Sequence, residues 1–246
     1  MKTLENILKL KKSKKGIFAF LIDPEKVKVS ELQNLVENAQ QNGVDLFFVG
    51  GSTINEIDFE NCIREIKKYS KIPVIIFPGH PNQISKNCDA LLFLSLISGR
   101  NPKHLIDSHV YAAPKIKEMN IEVIPTAYIL IDGNVETTVQ RISETKPIKQ
   151  KNIKSILAHS LAAEFLGFKL IYLEAGSGAK KSVSSKIISS VSRYCNLPII
   201  VGGGIKTPAI AKSKIKSGAS IVVIGNYFET KKNRNRLEQF STAIHK

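Results

Sequence analysis

Glu174 closes a short apolar run, Leu170–Leu173, and is followed at once by Ala175, Gly176, Ser177 and Gly178. A carboxylate so placed can serve as a general base. The glycines beside it let backbone N–H groups come close to phosphate oxygens. Tyr172 lies two residues before Glu174 and, on a strand, shares its face, so the hydroxyl and the carboxylate point the same way. Two later apolar runs also end in glycine: Ile199–Val201 in Gly202-Gly203-Gly204, and Ile221–Ile224 in Gly225-Asn226. One such loop merely turns the chain, whereas three that adjoin in space make a cradle for a phosphate group. A second constellation pairs Asp23-Pro24, after Ile17–Ile22, with Gly50-Gly51-Ser52-Thr53, after Leu46–Val49. An aspartate before proline often does no more than cap the turn. Asp23 and Ser52 at neighbouring strand ends also suit Mg2+, which takes few protein oxygens and completes its shell with water and substrate phosphates.

Residues from such distant parts of the chain meet only if the apolar runs form one sheet. Eight runs are present: Ile17–Ile22, Leu46–Val49, Val74–Phe77, Ala90–Leu94, Glu122–Pro125, Leu170–Leu173, Ile199–Val201 and Ile221–Ile224. Most precede a segment of helical periodicity, so the pattern is a repeated strand–helix unit. It predicts a single (β/α)8 barrel over residues 1–246, with the active site at the carboxyl ends of the strands. A capping box from Ser30 to Gln33 is expected to open the stripe Leu32, Leu35, Val36 and Ala39, which closes at Gly43. Thr207-Pro208 opens another helix that ends at Gly218, and Ile187, Ile188, Val191 and Cys195 stripe a third. Two irregularities stand out. The link from Phe77 to Ala90 is too short for a regular third helix, which is expected to be missing or replaced. Ile129–Asn152 is a long polar excursion after the fifth run, the kind of loop that forms lids.

The chain has 246 residues, 43% of them hydrophobic, enough for one full core. No apolar run reaches the roughly 18 to 20 residues of a membrane span, and the start has no signal-like core, so a cytoplasmic protein is expected. Cys62, Cys88 and Cys195 are widely spaced and read as reduced thiols. The formal charge of +15 fits a polyanionic small substrate, an anionic membrane surface or a lysine-rich solvated surface. No nucleic-acid-binding motif accompanies it, so no nucleic-acid partner is expected. The glycine loops by themselves also suit a sugar-phosphate isomerase or an FMN-dependent enzyme.

The strand-end peptides FAFLIDPEK, FFVGGST, FPGHPNQIS, LFLSLISGRNP, IPTAYILIDG, YLEAGSGA, VGGGIK and IGNYFE together resemble the geranylgeranylglyceryl phosphate synthase family, which includes the PcrB-like heptaprenylglyceryl phosphate synthases. The likeness runs from about Ile17 to Phe228. It implies transfer of a prenyl group from an allylic diphosphate to the 3-hydroxyl of sn-glycerol 1-phosphate, with Mg2+ as cofactor. On that pattern Asp23 and Ser52 bind the metal, while Tyr172, Leu173, Glu174, Ala175, Gly176, Ser177, Gly178, Gly203, Gly204, Gly225 and Asn226 hold the glycerol phosphate. Glu174 and Tyr172 are the catalytic candidates. Leu21-Ile22-Asp23, without the lysine that PcrB-like members tend to place before Asp-Pro, resembles the branch that uses geranylgeranyl diphosphate. Lys103-His104 stands where relatives often carry bulky aromatics. The resemblance further implies a homo-oligomer, and the basic stretch Lys231–Arg236 offers peripheral contact with an anionic membrane.

Overall fold

The computed structural model describes residues 2–13, 16–51 and 56–246. Eight parallel strands close into a barrel in sequence order: β1 (Ile17–Ile22), β2 (Leu46–Val49), β3 (Val74–Ile76), β4 (Ala90–Ser95), β5 (Val123–Leu130), β6 (Leu170–Glu174), β7 (Ile199–Gly202) and β8 (Ile221–Ile224). Closure is direct, with Ile17 and Phe20 of β1 in register with Ile221 and Ile224 of β8. The helices are α1 (Thr3–Lys12), α2 (Val29–Gln41), α3 (Glu56–Tyr69), α4 (Ser108–Glu118), α5 (Thr138–Ser143), α6 (Ile153–Phe165), α7 (Ser185–Tyr194), α8 (Pro208–Lys216), α9 (Asn226–Glu229) and α10 (Leu237–His245). Among the described residues, no helix is long and apolar enough to cross a membrane.

The two-residue period of each strand sorts its side chains into two cores. One set, including Phe18, Phe20, Phe47, Val49, Ile171, Leu173, Val201 and Val222, packs outward against the helices. The other, including Ile17, Ala19, Phe48, Ile75, Leu92, Tyr128, Leu170, Tyr172 and Val223, fills the barrel. Ile7 of α1 joins that inner set, with Leu4 and Leu10 packed against it, so the N-terminal helix plugs the end of the barrel remote from the strand termini. Glu122, just before β5, holds α1 there by accepting from the N–H groups of Thr3 and Leu4 at 2.7 and 3.0 Å. Those amides have no partner within the helix, and the carboxylate suits the positive end of its dipole.

No helix joins β3 to β4: residues 77–89 cross in turns, as the length of the link requires. The fifth strand, by contrast, runs to Leu130 rather than ending at Pro125. Proline halts most strands because it cannot donate to the ladder. Here Pro125 accepts from Lys169 N–H just before the β5–β6 register opens at Thr126↔Leu170, so no rung is lost. The expected excursion is therefore shorter, and it carries α5, capped by Thr137, which accepts from Gln140 N–H. The Ser30 capping box is not formed. Helix α2 starts two residues earlier, with Lys28 at the N-cap and no side-chain cap; Glu31 N–H finds the Lys28 carbonyl at 2.9 Å, and Gln33 turns to Glu37. Leu32, Leu35, Val36 and Ala39 are buried as their spacing demands. Thr207 caps α8 by accepting from Ile210 N–H.

Candidate active site

A cavity of about 630 Å3 opens at the carboxyl ends of the strands. Its floor is aromatic. Phe77, Tyr128 and Tyr172 pack with ring centroids 5.2 to 6.2 Å apart, and Leu21, Leu94 and Val223 extend the apolar wall. Glu174 rises from this floor on the same face of β6 as Tyr172 and is only 6% exposed. Burial among apolar rings disfavours its charged form and pushes the carboxyl up to about 7, although hydrogen bonds from Gly176 N–H and the Tyr172 hydroxyl pull the other way. A carboxylate balanced near neutrality is suited to taking a proton and giving it up again. Burial raises the Tyr172 and Tyr128 hydroxyls well above their usual range, so both stay protonated and keep a proton to donate to the carboxylate or a ligand.

Beside Glu174 lie the glycine loops. Ser177, Gly178, Gly203, Gly204, Gly225 and Asn226 line the cavity, drawn together from β6, β7 and β8. Gly176, Gly178, Gly203 and Gly204 all have positive φ, between 68° and 95°, which keeps successive peptide planes turned as a phosphate-cradling backbone requires. The loop after β6 is fastened from behind. Gly133 O accepts from the N–H groups of Lys180 and Lys181, each at 3.0 Å, and Gln150 reaches Asp132 O, Ser182 O and Ser184 N–H. Lys214 of α8, only 5% exposed, donates to Val183 O at 2.7 Å. Leu173 and Ala175 are fully buried, with side chains in the outer core rather than in the cavity. Their contribution to this wall is backbone. Gly176 likewise acts through its N–H, which is bound to Glu174 Oε1.

Across the mouth, Asp23 lines the cavity with its carboxylate against the end of β2. A Cβ on Gly51 would lie 2.5 Å from Asp23 Oδ1, so only glycine admits the carboxylate there. Asp23 also accepts from Glu25 N–H at 3.2 Å, the turn-capping bond that its place before proline suggests. Ser52 lies outside the described residues. Among those described, no three His, Cys, Asp or Glu groups could enclose a metal by themselves. The donor set still fits Mg2+ of the kind held by one carboxylate and completed by water and substrate phosphate. Cys62 and Cys88 are pushed up to about 12 by burial, which removes both as nucleophiles.

Several cavity residues escape a reading by apolar run and glycine loop. Tyr128 is one, since it lies beyond the expected end of the fifth strand. Lys26, Lys206 and Arg141 bring positive charge to the wall, and Glu229 stands beside Asn226. Arg141 belongs to α5, which lines the cavity with Thr138, Val139 and Ile142 and lies within the long segment after the fifth run. A lysine three residues after an aspartate was the available signal for Lys26.

A sequence model described as the PcrB family matches residues 8–244. The chain belongs to the PcrB family. A geranylgeranylglyceryl phosphate synthase of Flavobacterium johnsoniae is 47% identical over 225 residues, covering 92% of this chain and 93% of the relative. One from Thermococcus kodakarensis is 37% identical, covering 98% of this chain and 97% of its own. Among solved structures, (S)-3-O-geranylgeranylglyceryl phosphate synthase of Thermoplasma acidophilum, in complex with sn-glycerol 1-phosphate, superposes with a TM-score of 0.94 at 34% identity, covering 100% of this chain and 99% of that one. For this PcrB-family chain the Tyr172–Glu174 pair makes a prediction of its own. Tyr172→Phe removes a donor to the carboxylate, so the carboxyl rises above about 7 and the base form needs a higher pH. The acidic limb of kcat/KM should move to higher pH, with a larger loss of activity at pH 6.5 than at pH 8.5. An unmoved limb would detach Tyr172 from the ionisation of Glu174.

Proposed function

We propose that this protein transfers a polyprenyl group, geranylgeranyl by its branch of the family, from an allylic diphosphate to the 3-hydroxyl of sn-glycerol 1-phosphate, making an ether lipid precursor. The observation that carries this reading is the buried Glu174 carboxyl, near neutrality, set between a glycine cradle on one side and an apolar, aromatic floor on the other. Bound in that cradle, the glycerol phosphate directs its hydroxyl towards Glu174. The allylic C–O bond breaks with its electron pair leaving on diphosphate, the glycerol oxygen bonds to the freed carbon, and Glu174 Oε takes the hydroxyl proton. The site needs no covalent nucleophile. Asp23, with Ser52, would hold Mg2+, which when bound supplies positive charge to the departing diphosphate. Phe77, Leu94, Leu96 and Val223 give the prenyl chain an apolar wall, and the helix-free link after β3, whose Pro78 and Gly79 line the cavity, leaves room for a long tail.

Homo-oligomerisation, a cytoplasmic setting and membrane contact belong to the same proposal. Part of the basic stretch Lys231–Arg236 is engaged within the molecule. Lys231 and Arg234 reach Glu31 at 2.9 and 3.7 Å, and Arg236 bonds the Tyr227 hydroxyl. The direct test is a radiolabelled transfer assay with sn-glycerol 1-phosphate, Mg2+ and a series of prenyl diphosphates, run beside sn-glycerol 3-phosphate. A lipid-soluble product from the first enantiomer alone, lost on chelation, is expected. No product with any donor would remove the prenyl-transfer reading, and equal product from both enantiomers would remove the acceptor assignment.

A further inference from the structure

At the cavity mouth Lys26, a cation with no part in the transfer step, lies between two carboxylates. The Lys26 ammonium lies 3.3 Å from Asp23 Oδ2 and 3.0 Å from Glu229 Oε1, joining the loop after β1 to α9 after β8. Glu229 in turn accepts from the Asn226 amide at 3.1 Å. The four side chains form one chain of contacts from the residue assigned to the metal to a residue assigned to the glycerol phosphate. All four line the cavity.

As a stabilising device this bridge is a poor one. The Lys26 side chain is 43% exposed, Asp23 17% and Glu229 23%, and ion pairs so open to water contribute little to stability. Its charge count is more informative. Within the cluster itself, with Arg141 and Lys206 of the same cavity left out of the count, two carboxylates and one ammonium leave one net negative charge in a cavity proposed to take two phosphorylated substrates. Such a site favours a further cation over a free polyanion. A divalent ion at Asp23 turns the balance to one net positive charge and takes over the carboxylate that Lys26 holds. The ammonium is then available to an incoming phosphate oxygen.

We propose, resting on the prenyl-transfer reading, that Lys26 binds the diphosphate of the donor and exchanges with the metal at Asp23. In the free protein Lys26 occupies Asp23; once a divalent cation is there, Lys26 swings to the diphosphate while Glu229 keeps it at the mouth. The binding order follows: metal and diphosphate arrive together, and neither binds well alone.

The charge count makes the test two-sided. Without Lys26 the resting site holds two negative charges, so Lys26→Met should bind Mg2+ alone more tightly, by about threefold or more. With metal present the site is only neutral, so its affinity for inorganic diphosphate should fall by about tenfold or more. Glu229→Gln, which keeps an amide oxygen for Asn226, should do the reverse, with weaker Mg2+ and tighter diphosphate. Calorimetric titrations of the full chain with MgCl2, and with sodium diphosphate at saturating Mg2+, read both effects. In turnover, KM for the prenyl donor should rise in Lys26→Met, while KM for glycerol phosphate stays within about twofold. A purely structural bridge would not move two affinities in opposite directions, nor reverse them in the second variant. Diphosphate affinity unchanged in Lys26→Met, or Mg2+ and diphosphate weakened together, overturns the inference. Should Lys26→Met fail to fold, the reversed pattern in Glu229→Gln decides. Binding of sn-glycerol 1-phosphate to the wild type, measured alongside, tests the underlying reading. If the wild type binds it and Mg2+-diphosphate but the variants show no opposed changes, only the role of Lys26 falls; if the wild type binds neither ligand, the reading of the site falls and the inference with it.

Discussion

Glu174→Gln should reduce kcat by about a thousandfold, within the range for loss of a general base, and leave binding of sn-glycerol 1-phosphate nearly intact. Glutamine keeps an oxygen for Gly176 N–H, which now meets Glu174 Oε1, so the phosphate loop retains its anchor. What it loses is the ability to take a proton. The same substitution should stabilise the protein, and the sign can be worked out. The carboxyl goes from an ordinary 4.5 in the unfolded chain to about 7 in the fold, because burial disfavours its charge. An acid raised in this way adds no penalty below pH 4.5, an increasing one between 4.5 and 7, and a constant one above, amounting to roughly 3 kcal/mol. Glu174→Gln should therefore melt several degrees higher than wild type at pH 8, at roughly 3 °C per kcal/mol for a chain of this size, with the advantage gone near pH 4.5. Calorimetric melting across pH beside single-turnover kinetics reads both halves. Full turnover in the variant would remove Glu174 as the base, and an equal or lower melting temperature at pH 8 would mean that its burial costs the fold nothing.

That trade between stability and chemistry explains which parts of the site are legible in the sequence. Strands β1, β2 and β8 begin and end where their apolar runs do, because turn residues bound them on both sides. Glu174 and Tyr172 could be placed on one face because a two-residue period is a local property. Tyr128 escaped because Pro125 reads as a stop, and only the neighbouring strand reveals that its missing N–H falls where no rung is lost. Ser30 reads as a cap from its spacing to Gln33, but the Lys28 carbonyl takes the Glu31 N–H instead. The Lys26–Glu229 pair spans 203 residues and exists only once the barrel closes β1 against β8. Lys214, in the middle of KSKIK, reads as solvated. It shares the buried stripe of α8 with Ala211, and its ammonium is satisfied by a carbonyl from the loop it supports. Periodicity determines which way a side chain faces; its partner is a product of closure.

Gly203→Ala should disable the site from the phosphate side. Gly203 has φ +83°, where a Cβ costs roughly 1 to 2 kcal/mol by local sterics alone. The added carbon would also lie 2.5 Å from Glu174 Oε1, 2.7 Å from Gly176 N and 2.8 Å from Gly176 O. These three atoms form the joint between the base and the cradle, since Gly176 N–H is itself bound to the carboxylate. The methyl cannot be accommodated by a flexible side chain, because two of the atoms are backbone and the third is held by it. The loop after β6 must shift, and with it both the phosphate donors and the carboxylate. A displacement of this order costs about a hundredfold in rate, and glycerol phosphate affinity should drop by a similar factor. Gly167→Ala is the matched control. Gly167 has nearly the same φ, +84°, but nothing lies within 4 Å of the Cβ it would gain, and it follows α6 rather than a strand of the cavity. That variant should lose about 1 kcal/mol of stability and keep full activity. A larger loss of stability in Gly203→Ala than in Gly167→Ala, with loss of activity in Gly203→Ala alone, would assign the defect to the joint. Full glycerol phosphate affinity in a folded Gly203→Ala protein would mean that the phosphate is held elsewhere.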